Sequence, residues 1–115
     1  AADEILNLDT AYELKKYGGD QILLDSYQDF ELETLNMLGE MRSAVEVEDM
    51  ELLQRLLHTI KGNSGTLGIM RLHRHAAKME ARVKEQDMDN FSQDYEHIQL
   101  YFAEFQKNYR KILHI

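Results

Sequence analysis

Residues 91–112 read FSQDYEHIQLYFAEFQKNYRKI, and within them Phe91, Tyr95, Ile98, Phe102, Phe105, Tyr109 and Ile112 follow one another at alternating steps of four and three. That alternation tracks the 3.6-residue turn of an α-helix with one buried stripe. Working back along the chain, Leu23, Tyr27, Phe30, Thr34, Met37 and Met41 keep the same rhythm. Between the two stripes lie two further sets with helical spacing: Leu53, Leu56, Leu57, Ile60, Ser64 and Leu67, then Ile69, Leu72, Ala76, Met79 and Val83. The punctuation agrees with helices, for the chain contains no proline. Thr10 with Glu13 forms a capping box for a short first helix that Gly18-Gly19 can end, and Asp20 can cap the next. Asp49 is placed to cap the third helix, Gly68 to sit just beyond its end, and Asp87 or Asp89 to open the last. Connections of a few residues make successive helices antiparallel neighbours. The expected fold is all-α: an up-and-down antiparallel four-helix bundle with a short additional N-terminal helix, one domain over residues 1–115.

Composition narrows the functional classes. A chain of 115 residues buries roughly two-thirds of its unfolded surface around one core. It has no cysteine, so disulfide and thiolate chemistry are excluded, which suits a reducing cytoplasm. The longest apolar run is the four residues Leu100 to Ala103, and no signal-peptide pattern opens the chain, so no membrane contact is expected. The net charge of −8 argues against a grip on nucleic acid. The charge is unevenly spread: from Arg55 to Lys84 there are seven basic residues and one acid, Glu80, whereas the rest holds six bases and twenty acids. No P-loop or kinase glycine-rich loop is present, so the chain has no ATP site of its own.

Within the basic segment lies HTIKGNSGTLG, residues 58–68. An interior glycine costs a helix about 1 kcal/mol relative to alanine, so glycines at 62 and 65 need a reason. At about 100° per residue, with Leu53 at zero, the core residues gather within about 60° of the start, while His58 falls at about 140°. Gly65 at about 120° and Gly62 at about 180° flank it, with Lys61 near 80° and Arg55 near 200°. The two glycines are therefore expected to clear the solvent face beside the imidazole. A neutral imidazole is a nucleophile available near pH 7, and Lys61 on the next turn can bring a cation to transferring phosphoryl oxygens.

HTIKGNSGTLG resembles the signature of histidine phosphotransfer (Hpt) domains, a histidine followed by an apolar residue, lysine, glycine and a small-residue run ending in glycine. GGDQILLDSYQDF before it and Leu72-x-x-x-Ala76-x-x-Met79-Glu80 after it resemble the flanking helices of that family. The chain departs mildly from the pattern, with Leu57 where alanine is common and Asn63 where a small residue is usual. The resemblance implies a phosphorelay carrier: His58 accepts a phosphoryl group from an aspartyl phosphate on one response-regulator receiver domain and passes it to another. It also implies no cofactor on this chain, Mg²⁺ on the partner receiver, a monomer, and an origin either as a free protein or within a hybrid sensor kinase. Lys61, Gly62, Gly65 and Arg55 are the candidates for the phosphate environment and partner access.

The same residues admit other readings. The rival function is a helical docking module that binds a receiver or kinase without being phosphorylated, but such a surface has no need of a cleared histidine. Ser64 faces the core and reads as a small packing residue. The basic stripe Arg71, Arg74, Lys78 and Arg82 is divided evenly between solvent-exposed charge pairing and a surface for an acidic receiver pocket. His73 and His75 sit two apart on a helix, about 200° from each other, and are not expected to chelate one metal ion.

Overall fold

The computed structural model describes residues 4–115, in which the chain forms four helices: α1 (Leu8–Glu46), α2 (Met50–Thr66), α3 (Met70–Lys84) and α4 (Phe91–Leu113). Each packs on two neighbours, α1 on α2, α2 on α3, α3 on α4 and α4 back on α1, so the four close a ring around one core. The long dimension is 42 Å, about the length that the 27 residues of α1 beyond residue 19 span at 1.5 Å each.

The expected short first helix is the beginning of α1. Gly19 alone leaves helical geometry, with φ 73° and ψ −169°, and the helix resumes at once. Glycine adopts that positive φ without a Cβ penalty, so the doublet ends the expected short first helix at a kink, and α1 is two helices joined across it. Asp20 stands just after the kink, and its carboxylate pairs with Lys15 at 3.1 Å instead of capping the second part of α1. The cap of α1 is Asn7, whose side chain accepts from the Thr10 amide at 3.1 Å, in place of the expected Thr10–Glu13 box. Asp49 caps α2 through the Leu52 amide at 3.0 Å, as its position implied. Gly68 follows the Leu67 C-cap with φ 71°, the left-handed turn that its place predicted. Neither Asp87 nor Asp89 opens α4. Asp87 shapes the turn by accepting from the Asp89 amide at 3.2 Å, and Asn90 stands at the N-cap position without a side-chain cap bond.

The four sequence stripes converge as expected. Of their residues only Leu67, Phe91 and Ile112 stay half-buried, at helix ends. Tyr27, Phe30, Phe102, Phe105 and Tyr109 form a continuous aromatic cluster between α1 and α4, with ring centroids 4.8 to 6.4 Å apart. Their polar tips are used: the Tyr109 hydroxyl donates to Glu31 at 2.6 Å, and the Tyr27 hydroxyl to the Leu67 carbonyl at 2.9 Å. Burial pushes the Tyr27 phenol up to about 12, so it remains a donor throughout the ordinary pH range.

The α2–α3 junction is tied down from outside. α3 has no side-chain cap, and its first free amides, Met70 and Arg71, donate to the carbonyls of Ile5 and Glu4 at 3.2 Å each. Asn7 in turn donates to the Gly68 carbonyl at 2.7 Å. The segment ahead of α1 thus serves as the cap of α3.

Gly65 corrects an expectation. A Cβ there would lie 2.9 Å from two atoms of the His73 ring, so this glycine admits a side chain of α3 against α2 instead of clearing the approach to His58. His73 is held in that place by a 2.7 Å hydrogen bond between Nδ1 and the Lys61 carbonyl. Gly62, by contrast, has nothing within 4 Å of the Cβ position, in keeping with the open face read from the helical wheel.

Two stability predictions follow from this packing. Gly62→Ala is expected to stabilise the fold by up to about 1 kcal/mol and so raise the melting temperature, because alanine is the better helix former and meets no neighbour. Gly65→Ala is expected to lower it by displacing His73. Gly68→Ala lowers it more, because it adds a side chain at positive φ and 2.8 Å from Thr10 Cβ. Thermal melts of the three variants check the order, and a destabilised Gly62→Ala would place that residue in a packed interface. The second concerns Thr34, fully buried in the α1 stripe with a hydroxyl that has no hydrogen-bond partner among the described residues. Thr34→Val keeps the shape and removes the buried hydroxyl, so it should stabilise the bundle by about 1 kcal/mol. Chemical denaturation reads this directly, and a loss of stability would mean that the hydroxyl is bonded.

Candidate functional site

The inward stripe of α2, from Leu53 to Ser64, fixes the rotation of the helix, and His58 accordingly projects outward with 68% of its side chain exposed. Beneath it lies Glu80, only 3% exposed although it carries a carboxylate. Glu80 belongs to the buried face of α3, among Ala76, Met79 and Val83, and enters the α2–α3 seam at the level of His58. One of its oxygens, Oε2, is 2.8 Å from His58 Nδ1 and 3.5 Å from Lys84 Nζ. The other, Oε1, is paired with Lys61 Nζ.

The electrostatics follow from this arrangement. Burial by itself pushes the Glu80 carboxyl up, but hydrogen bonds from Lys61 and His58, with the charges of Lys61 and Lys84, outweigh it and hold the group below the usual 4.5. Glu80 is therefore ionised at neutral pH and can only accept hydrogen bonds. Its contact with His58 requires the proton on Nδ1, which turns Nε2 and its lone pair outward.

The main chain under the imidazole is held in a similar way. The Lys61 carbonyl accepts from the Ser64 hydroxyl at 3.1 Å and from His73 Nδ1, and the Ser64 hydroxyl also donates to the Ile60 carbonyl at 2.6 Å. Ser64 is thus a buried packing residue with its polar atom satisfied. His75, two residues from His73, donates through Nε2 to the Asp94 carbonyl on α4 at 2.8 Å. The two rings point to different helices, and among the described residues no group of three or more His, Cys, Asp or Glu side chains is arranged to hold a metal.

The candidates sort as follows. His58 and Lys61 meet on one carboxylate, Gly62 leaves open space beside them, and exposed Arg55 borders the same shallow depression as Gln54, His58, Glu80 and Lys84. Lys61 is 28% exposed, and its ammonium is paired with a buried acid. Gly65 lies outside the cleared face. The basic stripe divides: Arg71 makes two hydrogen bonds to Glu104, at 2.7 and 2.8 Å, and Arg82 pairs with Asp94, while Arg74 and Lys78 stay exposed. Sequence reasoning missed Glu80 and Lys84. Glu80 had a signal, since it is the one acid of the basic segment and stands between Met79 and Val83 on the apolar face of α3.

The family model described as Hpt domain matches residues 25–108. Among solved structures, the crystal structure of histidine-containing phosphotransfer protein B (HptB) from Pseudomonas aeruginosa PAO1 superimposes with a TM-score of 0.86, at 17% sequence identity, covering 93% of this chain and 92% of that one. At that identity the likeness is one of fold. No curated protein matches the sequence. With a family match over most of its length and an exposed histidine braced on the bundle surface, the chain belongs to the Hpt domain family, the histidine phosphotransfer carriers of phosphorelays.

Proposed function

We propose that His58 is the phosphoacceptor and that it exchanges a phosphoryl group with the aspartyl phosphates of response-regulator receiver domains. The observation that carries this is the 2.8 Å contact of Nδ1 with the ionised, buried Glu80 beneath a largely exposed ring. It directs the Nε2 lone pair at the solvent, where a second protein can present phosphorus. In the transfer the Nε2 lone pair forms the N–P bond as the P–O bond to the receiver aspartate breaks, and the aspartate leaves as a carboxylate. The Nδ1 proton stays on the ring, which becomes positively charged, and Glu80 stabilises that charge through its hydrogen bond. The reverse sequence returns the phosphoryl group to another receiver. Mg²⁺ belongs to the receiver side, where it balances charge on the phosphoryl oxygens. The carrier works without an ATP site, in the cytoplasm, with receivers presented in trans or in cis within a hybrid sensor kinase. Gly62 keeps the approach to Nε2 free of a neighbouring side chain.

A phosphorylated receiver domain with Mg²⁺ should label the chain with an acid-labile, base-stable phosphate. His58→Gln should melt close to the parent, since the glutamine amide can donate to Glu80 in place of the imidazole and Lys84 stays beside the same oxygen, and should accept no label. Persistence of label in that variant would remove His58 as the acceptor. Gly62→Gln should also remain folded, because its side chain enters open space, yet slow transfer by about 10- to 100-fold by holding the receiver off the ring. Transfer at the parent rate from a stable Gly62→Gln protein would end the cleared-approach explanation.

A further inference from the structure

We infer that Lys84, not Lys61, is the cation that contacts the phosphoryl group once it is on His58, and that Lys61 serves instead to hold Glu80 in its ionised position. This rests on His58 being the acceptor. Three cations surround the site, Arg55, Lys61 and Lys84, and their environments differ. Lys61 is paired with Glu80 Oε1, with 28% of its side chain exposed. Drawing it away would leave one oxygen of a buried carboxylate without a partner, a costly state. Its backbone is also fixed, since its carbonyl takes hydrogen bonds from both Ser64 and His73.

Lys84 stands differently. Its ammonium is 3.5 Å from Oε2, which His58 already serves at 2.8 Å, so Glu80 keeps a close partner on each oxygen when Lys84 leaves. Its side chain is 51% exposed and sits in the last turn of α3, where free helix carbonyls favour a cation. Sharing one carboxylate oxygen with the imidazole places the ammonium beside the ring, and a lysine stem lets it swing across the shallow depression that the two residues line together. Glu80 and Glu51, which lines the same depression, carry two negative charges against Arg55, Lys61 and Lys84, so the unloaded site has one positive charge in excess, which an arriving phosphoryl group of up to two negative charges offsets. Arg55, exposed and without an ion-pair partner among the described residues, stands at the rim and is a weaker candidate because nothing holds it toward the ring.

The test loads the full chain with phosphoramidate, a small phosphodonor whose P–N bond breaks with loss of ammonia, so that no receiver is needed. Phosphorus NMR then follows the second ionisation of the phosphoryl group, which an adjacent cation favours. Lys84→Gln should melt with the parent and lower that ionisation constant by about two- to fivefold, the range of an exposed ion pair, and Lys84→Arg should restore it. Lys61→Gln should melt earlier while its phosphoryl group titrates close to the parent. The inference is overturned if Lys84→Gln titrates as the parent, or if Lys61→Gln shifts the titration more than Lys84→Gln does. Either result leaves His58 standing as acceptor. Loading that survives intact in His58→Gln, or no phosphohistidine in the parent, removes the acceptor and the inference with it.

Discussion

A carboxylate that is almost sealed inside a helix bundle must be met by positive charge and by hydrogen-bond donors, or it will take up a proton. Glu80 meets that demand with three side chains at once, and in doing so it ties α3 to the outward face of α2. The imidazole is oriented because the acid is ionised, and the acid is ionised because Lys61 and His58 are there. Lys61 opposes the desolvation of Glu80 most strongly, and so supports the hold of the carboxylate on the Nδ1 proton of His58. Stability and reactivity at this site are two readings of one buried charge.

The bundle delivers that geometry through its seams. α2 and α3 approach closely because Gly65 admits the His73 ring, and His73 returns a hydrogen bond to the turn of backbone that carries Lys61. The junction between the two helices is held by Tyr27 from α1 and by the segment ahead of α1, whose carbonyls cap α3. The angle at which Glu80 meets His58 therefore depends on residues more than fifty positions earlier in the chain. On the opposite side, the aromatic cluster between α1 and α4 supplies bulk apolar contact and leaves the α2–α3 face free for a partner.

The positive segment from Arg55 to Lys84 turns out not to be one electrostatic surface. Arg71 and Arg82 face α4 and are spent on Glu104 and Asp94, where they hold α3 to its other neighbour. Lys61 is committed to Glu80. What remains for a phosphoryl group or an acidic partner is a smaller set, Arg55 and Lys84 beside His58 and the exposed Arg74 and Lys78 on the far side of α3. A count of charges along a chain cannot separate these, because pairing depends on which helix each side chain faces.

Local periodicity was enough to give the helices, the core and the outward-facing histidine. Alternating steps of four and three leave each helix one way to bury its apolar face, so the stripes of α1 and α4 and the outward direction of His58 follow from local periodicity. Asp49 and Gly68 were legible for the same reason, since capping is decided within a few residues. Where competing local signals lay close together, at Thr10 against Asn7 and at Asp87 against Asn90, the ends of helices were misread. The partner of His58 was beyond any local rule. Glu80 lies 22 residues away and looks like one more charge on an amphipathic helix until α2 and α3 are packed. The contacts of Gly65, Lys61 and Lys84 were decided there too, because contacts between helices arise from packing distances and angles that no single helix encodes.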